Sequence, residues 1–191
     1  VLAFVVVLSL GLGACTEFDE PLEQRHQALS FTPRLPYPSG VGLYVSQGWF
    51  GTWSHNAGTN LQYAIDFAKS GCLGTHILAV GDGTVTYRYD DCTVASGTSC
   101  NGGWGNAVVI DHGNGEYSKY THLGAGSIPD EIVVGTPVCQ GLYIGNLDTT
   151  GNSTGPHLHF QFQSAGTLNG PSITFERFEE VVRPDAVLVR G

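Results

Sequence analysis

Basic residues are scarce: the 191-residue chain carries 8 Lys and Arg against 17 Asp and Glu, a formal net charge of −9. Nucleic-acid binders hold phosphates with clustered Lys and Arg, so nucleic acid is excluded as a partner. None of the 5 cysteines forms a C-x-x-C pair, which excludes a structural zinc ribbon. No Glu stands in an H-E-x-x-H pattern, so the helix-borne zincin arrangement is absent as well. No repeat of solenoid period is visible. Charged residues make up only 13% of the chain and hydrophobic ones 41%, too apolar a balance for a disordered polymer. The length suits one domain with an appended tail, able to bury a core without help from metal or disulfides.

Methionine is missing altogether. The chain opens on Val1 to Ala14 (VLAFVVVLSLGLGA), an uncharged run too short for a permanent span and of the length of a secretory h-region. The true start and its basic n-region are expected upstream. The run closes on Leu12-Gly13-Ala14-Cys15, which resembles the bacterial lipobox. Cys15 is therefore the expected lipidation site, with acyl burial contributing about 0.8 kcal/mol per CH2 to membrane anchoring. Thr16 rather than Asp follows it, which resembles outer-membrane sorting if the source is Gram-negative. The expected organisation is a signal peptide over 1–14, an acidic, Pro-punctuated tether over 15–38 and a folded domain over 39–191. The expected location is the bacterial cell envelope, reached by export.

With Cys15 lipidated, four cysteines remain, and an even count in an exported chain predicts two disulfides in one of three pairings. The short loop between Cys92 and Cys100, rich in Ser, Thr and Gly, favours that bridge and leaves Cys72 with Cys139. With 27 Gly and 9 Pro, turns are frequent. Short β-branched or aromatic runs at 63–67, 77–80, 84–89, 107–111, 138–144 and 157–163 read as strands, and His112-Gly113-Asn114-Gly115 reads as a hairpin turn. One short helix is expected over 175–182, with Thr174 as its N-cap. The fold class is mainly β and antiparallel.

Polar residues placed by strand alternation carry the chemistry. In Pro156-His157-Leu158-His159-Phe160-Gln161-Phe162-Gln163, the two His and two Gln share one face while Leu158, Phe160 and Phe162 share the other. The paired imidazoles stand about 7 Å apart at their Cα atoms. In Tyr63-Ala64-Ile65-Asp66-Phe67, Asp66 points away from Tyr63, Ile65 and Phe67, and a carboxylate there needs a partner or a cation. His55 lies upstream in a loop of polar and small residues. In Tyr117 to Leu123, alternation puts Tyr120 and His122 on one side.

Together, His55, Asp66, His122, His157 and His159 resemble the lysostaphin-type zinc endopeptidases, the LytM and β-lytic metallopeptidase family. The resemblance spans about Val41 to Gln163 and rests on YAIDFA, GDGTV, GNAVVIDHGNGEYSKYTHL and GNSTGPHLHFQF in that order. It implies antiparallel sheets forming a groove, as in a duplicated hybrid motif, and one zinc ion per chain. It assigns zinc ligation to His55, Asp66 and His159, and it places His122 and His157 beside the attacking water and the transition state. Ten residues separate His55 from Asp66, against three in many relatives, a longer spacing that resembles the β-lytic branch. The residue types agree: two His and one carboxylate leave a fourth zinc position for water, and two more His can act on it. His26, His76 and His112 read as structural or solvated.

Two rivals are weaker. Gly151-Asn152-Ser153-Thr154-Gly155 matches G-x-S-x-G, but Pro156 and a strand follow where a nucleophile elbow needs a helix, and no His lies beyond His159. A non-catalytic module that binds peptidoglycan or activates amidases is the second, and it sits poorly with five filled positions. The resemblance implies peptide bonds of peptidoglycan as the substrate, either cross-links or Gly-rich bridges. Trp49, Phe50, Trp53 and Trp104 are candidates for the groove wall.

Overall fold

The structure is a computed structural model describing residues 28–93 and 96–179. The apolar run, Cys15, His26, the tether up to residue 27 and the end of the expected helix lie outside the described residues.

The strands are β1 (Tyr44–Gln47), β2 (Ile65–Ala68), β3 (His76–Leu78), β4 (Gly83–Tyr89), β5 (Asn106–Asp111), β6 (Tyr117–Leu123), β7 (Pro137–Val138), β8 (Tyr143–Asn146) and β9 (Leu158–Gln163). All pairings are antiparallel, in a seven-stranded sheet ordered β1-β2-β9-β6-β5-β4-β7 and a two-stranded β3-β8 sheet. Alternation along β2 and β9 sends Phe67, Leu158, Phe160 and Phe162 into the core. Phe160 and Phe162 stand 5.1 Å apart, and Phe175 and Phe178 close over them, with Phe162 to Phe175 at 4.9 Å. Each such ring contributes roughly 1.5–3 kcal/mol on burial.

Four expectations differ. The tether ends early: residues 28–38 already belong to the fold, because Tyr37 is buried in the core and Phe31 and Leu35 pack against it. Ser30 is tied through its amide and hydroxyl to the buried Glu116 carboxylate. The expected strand over 138–144 is cut in two by a turn at Gln140–Gly141, where Gly141 takes φ 84°. The described part of the expected helix, Phe175–Glu179, is not helical, since nearby backbone groups bond elsewhere: Ile173 N–H donates to Phe162 O and Glu179 N–H to Pro33 O. Of the two disulfides, Cys92–Cys100 is formed but Cys72–Cys139 is not. Cys72 is buried with its sulfur 3.4 Å from the Pro156 carbonyl, whereas Cys139 faces solvent after β7.

Candidate active site

Three neighbouring strands deliver most of the site. Asp66 on β2 pairs directly with His159 on β9, and His159 in turn faces Thr121 on β6. His159 occupies the opposite face of β9 from the Phe160 core. On β6 the expected alternation fails: Tyr120 is buried in the core, its ring 5.4 Å from Phe160, while His122 turns to the site. The cause is an irregularity in the β5–β6 register, where His122 adopts φ 63°. A left-handed non-glycine residue costs about 1–3 kcal/mol and needs its surroundings to hold it. Here both backbone groups are bonded, His122 N–H to Trp104 O and His122 O to Asp148 N–H.

His55, Asp66 and His159 offer ligand atoms that all lie within 4.8 Å of one another. Asp66 Oδ1 is 3.0 Å from His159 Nδ1 and 3.3 Å from His55 Nε2, and the two ring nitrogens are 3.3 Å apart. The opposite nitrogen of each ring faces an acceptor: His55 Nδ1 lies 3.1 Å from Gly48 O, and His159 Nε2 lies 3.3 Å from Gln161 Oε1. Gln161 donates its own Nε2 to Gln163 Oε1 and Gly170 O, which turns its oxygen towards His159. With those outer nitrogens donating to Gly48 O and Gln161 Oε1, His55 Nε2 and His159 Nδ1 are the nitrogens that can present lone pairs to a cation beside Asp66. Two imidazole lone pairs and a carboxylate oxygen therefore converge on one point. That arrangement repels itself unless a cation sits there, and it is the donor set of a three-ligand zinc site.

His122 and His157 are locked the same way. His122 Nδ1 donates to Thr150 O at 2.7 Å and His157 Nδ1 to Gly155 O at 2.8 Å. In each neutral ring that bond leaves Nε2 as the bare nitrogen, with the rings 4.7 Å apart and His157 Nε2 4.0 Å from Asp66 Oδ1. Burial, then the neighbouring His157 and His159, pull His122 down to about 3; burial pulls His159 down to about 4 against the pull of Asp66. In the metal-free protein a proton takes the cation's place: burial would raise the Asp66 carboxyl, but hydrogen bonds and charge from His159 and His55 outweigh it and hold it well below the ordinary value.

The site opens into a cleft of about 340 Å³. Of the four candidate aromatics, Trp53 (84% exposed) and Trp104 line it, Trp49 is in the core and Phe50 packs edge-on against Tyr63. Trp104 lies 5.3 Å from the His159 ring, with Lys119 Nζ 3.5 Å from its own ring centroid. Burial pulls the Lys119 ammonium down to about 7. The Cys92–Cys100 disulfide closes a loop, and the left-handed turn at Asn101–Gly102 that follows it leads to Trp104. The loop and the turn both bond the segment bearing Thr150, through Ser96 N–H to Thr149 O and Asn152 N–H to Gly103 O. A Cβ on Gly105 would lie 2.3 Å from the Thr150 carbonyl that orients His122, so the contact requires glycine. Ser153 of the G-x-S-x-G pattern is a turn residue: it is buried, accepts from Thr149 Oγ1 and donates to Gly155 O.

All five residues singled out in the sequence are thus brought together. His76 stacks on Tyr143 at 4.8 Å, and His112 is held between Asp82 O and Ser118 Oγ, both away from the site. Sequence reasoning missed Gln47, whose Nε2 donates to Asp66 Oδ2 at 2.9 Å, and the backbone carbonyls of Gly48, Thr150 and Gly155. Carbonyls carry no residue-type signal. Gln47 reaches Asp66 only through an irregular β1–β2 register.

The family model of peptidase family M23 matches residues 60–171, a span that holds Asp66, His122, His157 and His159 but begins after His55. The chain is 37% identical over 111 residues to the DD-carboxypeptidase/endopeptidase Mpg of Neisseria meningitidis, covering 58% of this chain and 22% of that protein. It is 38% identical over 151 residues to the peptidoglycan DD-endopeptidase ShyC of Vibrio cholerae, covering 79% of this chain and 28% of that protein. The chain thus spans less than a third of the length of these relatives. Among solved structures, Helicobacter pylori Csd3 superposes with a TM-score of 0.51 at 25% identity, over 75% of this chain and 32% of that one. With more than half of its residues matched, the chain belongs to peptidase family M23.

Proposed function

We propose that this chain is a zinc-dependent endopeptidase that hydrolyses peptide bonds in peptidoglycan cross-links. The observation that carries the reading is the convergence of three lone pairs from His55, Asp66 and His159 beside a second, carbonyl-locked histidine pair. Likeness to a peptidoglycan DD-endopeptidase over most of the chain favours cross-links over Gly-rich bridges.

His55 Nε2, Asp66 Oδ1 and His159 Nδ1 would hold the zinc, which would supply Lewis acidity to the attacking water and the scissile carbonyl when bound. The protein's own contribution is positioning and proton transfer. With Nδ1 tied to carbonyls, the free Nε2 atoms of His122 and His157 are proton acceptors facing the cleft. Two imidazoles 4.7 Å apart disfavour a double positive charge, so the pair carries one proton at a time. One Nε2 takes the water's proton and, as N–H, then donates to the oxyanion or the leaving amine. Trp53 and Trp104 flank the cleft as contact surfaces for the peptide.

The test is digestion of purified peptidoglycan with and without chelator, followed by mass spectrometry. Loss of cross-linked dimers, abolished by chelation and restored by zinc, is expected. Binding without cleavage would establish the non-catalytic reading instead. We further propose anchoring through a lipidated Cys15, supported by the Leu12-Gly13-Ala14-Cys15 tetrapeptide closing an apolar run. Cys15→Ser is expected to move the protein from the membrane to the soluble fraction, and unchanged fractionation contradicts it.

A further inference from the structure

The side-chain amide of Gln47 makes four hydrogen bonds. Its Oε1 accepts from the backbone N–H groups of Trp53 and Ser54, both at 3.1 Å. Its Nε2 donates to Ser54 Oγ and to Asp66 Oδ2, both at 2.9 Å. Two backbone donors fix the orientation of the amide, since only its oxygen can accept from them; the nitrogen must therefore face Asp66. An amide offers two donors and two acceptor lone pairs, so all of its capacity is used.

The backbone is shaped to allow this. A register shift in β1 between Val45 and Gln47 brings Gln47 opposite Asp66. The chain then folds back within a few residues, and a Cβ at position 51 would lie 2.4 Å from Gln47 Cγ, so Gly51 leaves room for the side chain. The same tight loop carries Trp53 at the rim and His55, whose Nδ1 bonds Gly48 O.

We infer that Gln47 is a positioning residue of the metal centre, orienting the Asp66 carboxylate and holding the His55 loop through one amide. The inference rests on the zinc reading above. With Oδ2 occupied by Gln47, Asp66 presents Oδ1 as a single-point ligand towards His159 and His55. Without it, the carboxylate is free to rotate and the loop loses two of its backbone anchors. Outer partners of metal ligands typically contribute 10–100-fold in metal affinity.

The experiment is zinc affinity by chelator competition on the full chain, for the parent protein and for Gln47→Met, which keeps length and removes every hydrogen bond. A 10–100-fold weaker affinity in the variant is expected. Affinity within twofold of the parent overturns the inference. The parent protein supplies a second readout that does not depend on the variant folding, the Gln47 side-chain NH2 signals in a proton–nitrogen correlation spectrum. These are expected to be protected from exchange and to shift when zinc is added. Free exchange with no shift overturns the inference even if Gln47→Met does not fold. A parent protein that binds no zinc overturns the metal reading itself, an outcome distinct from either of these.

Discussion

Phe160 and His159 are adjacent on β9, and both are buried, yet the two faces they belong to are built on opposite terms. On the Phe160 face, rings pack on rings with centroids 4.9–6.4 Å apart, and little there depends on direction. On the His159 face, four imidazoles are each tied by one nitrogen to an oxygen acceptor, which leaves the other nitrogen bare and aimed. The first face supplies stability through area, and the second spends stability on orientation, including a left-handed His122. Substitutions on the two faces are therefore expected to move different observables.

The largest effect is expected for the pair beside the ligands. His157→Ala and His122→Ala are expected to lower kcat by about 10²–10⁴-fold with little change in KM or in zinc content. Steady-state kinetics on a cross-linked muropeptide reads this, and an equal loss through KM alone would put these residues in substrate binding. Next comes the core: Phe160→Ala is expected to cost about 3–5 kcal/mol of stability, measured by urea denaturation. A cost below 1 kcal/mol would mean that the aromatic face is not the stabilising one.

The smallest effect is in the pH dependence. His112, a locked histidine on the core side with its ring 4.5 Å from Phe31, is shifted down from 6.5 by burial. His122 and His159 are shifted down from the same value. For groups lowered in the folded state, the unfolded chain binds protons first. The contribution of these histidines is thus complete above the unfolded value of about 6.5 and is lost as pH falls towards the folded values. The metal-free protein is expected to show a falling urea midpoint from pH 7 to pH 5. Zinc is expected to blunt the part due to His159 and to leave the part due to His112, which His112→Gln removes. A flat midpoint in the metal-free protein contradicts this.

Much of this was legible in the sequence, because period-two alternation is strict where strands are regular. It placed Asp66 opposite Ile65 and Phe67, and separated His159 from Phe160. It misled at His122, where a register irregularity turns one residue to the other face and leaves Tyr120 in the core. It put the glutamines on the face of His159 but gave no sign that Gln161 and Gln163 are buried under the segment 164–171, bonded to Ala165, Thr167 and Gly170 carbonyls. Bulges, backbone carbonyls and the partner of a free cysteine depend on tertiary placement, and no local pattern encodes them.

The central claim is that His157, immediately before β9, and His159, on it, differ in duty because different nitrogens are left bare: Nδ1 of His159 faces Asp66 and His55, and Nε2 of His157 faces the cleft. Metal content of purified His159→Ala and His157→Ala, by mass spectrometry of the elements, tests it most directly. The account predicts about one zinc per chain in His157→Ala and almost none in His159→Ala. Zinc retained in His159→Ala and lost from His157→Ala would contradict it.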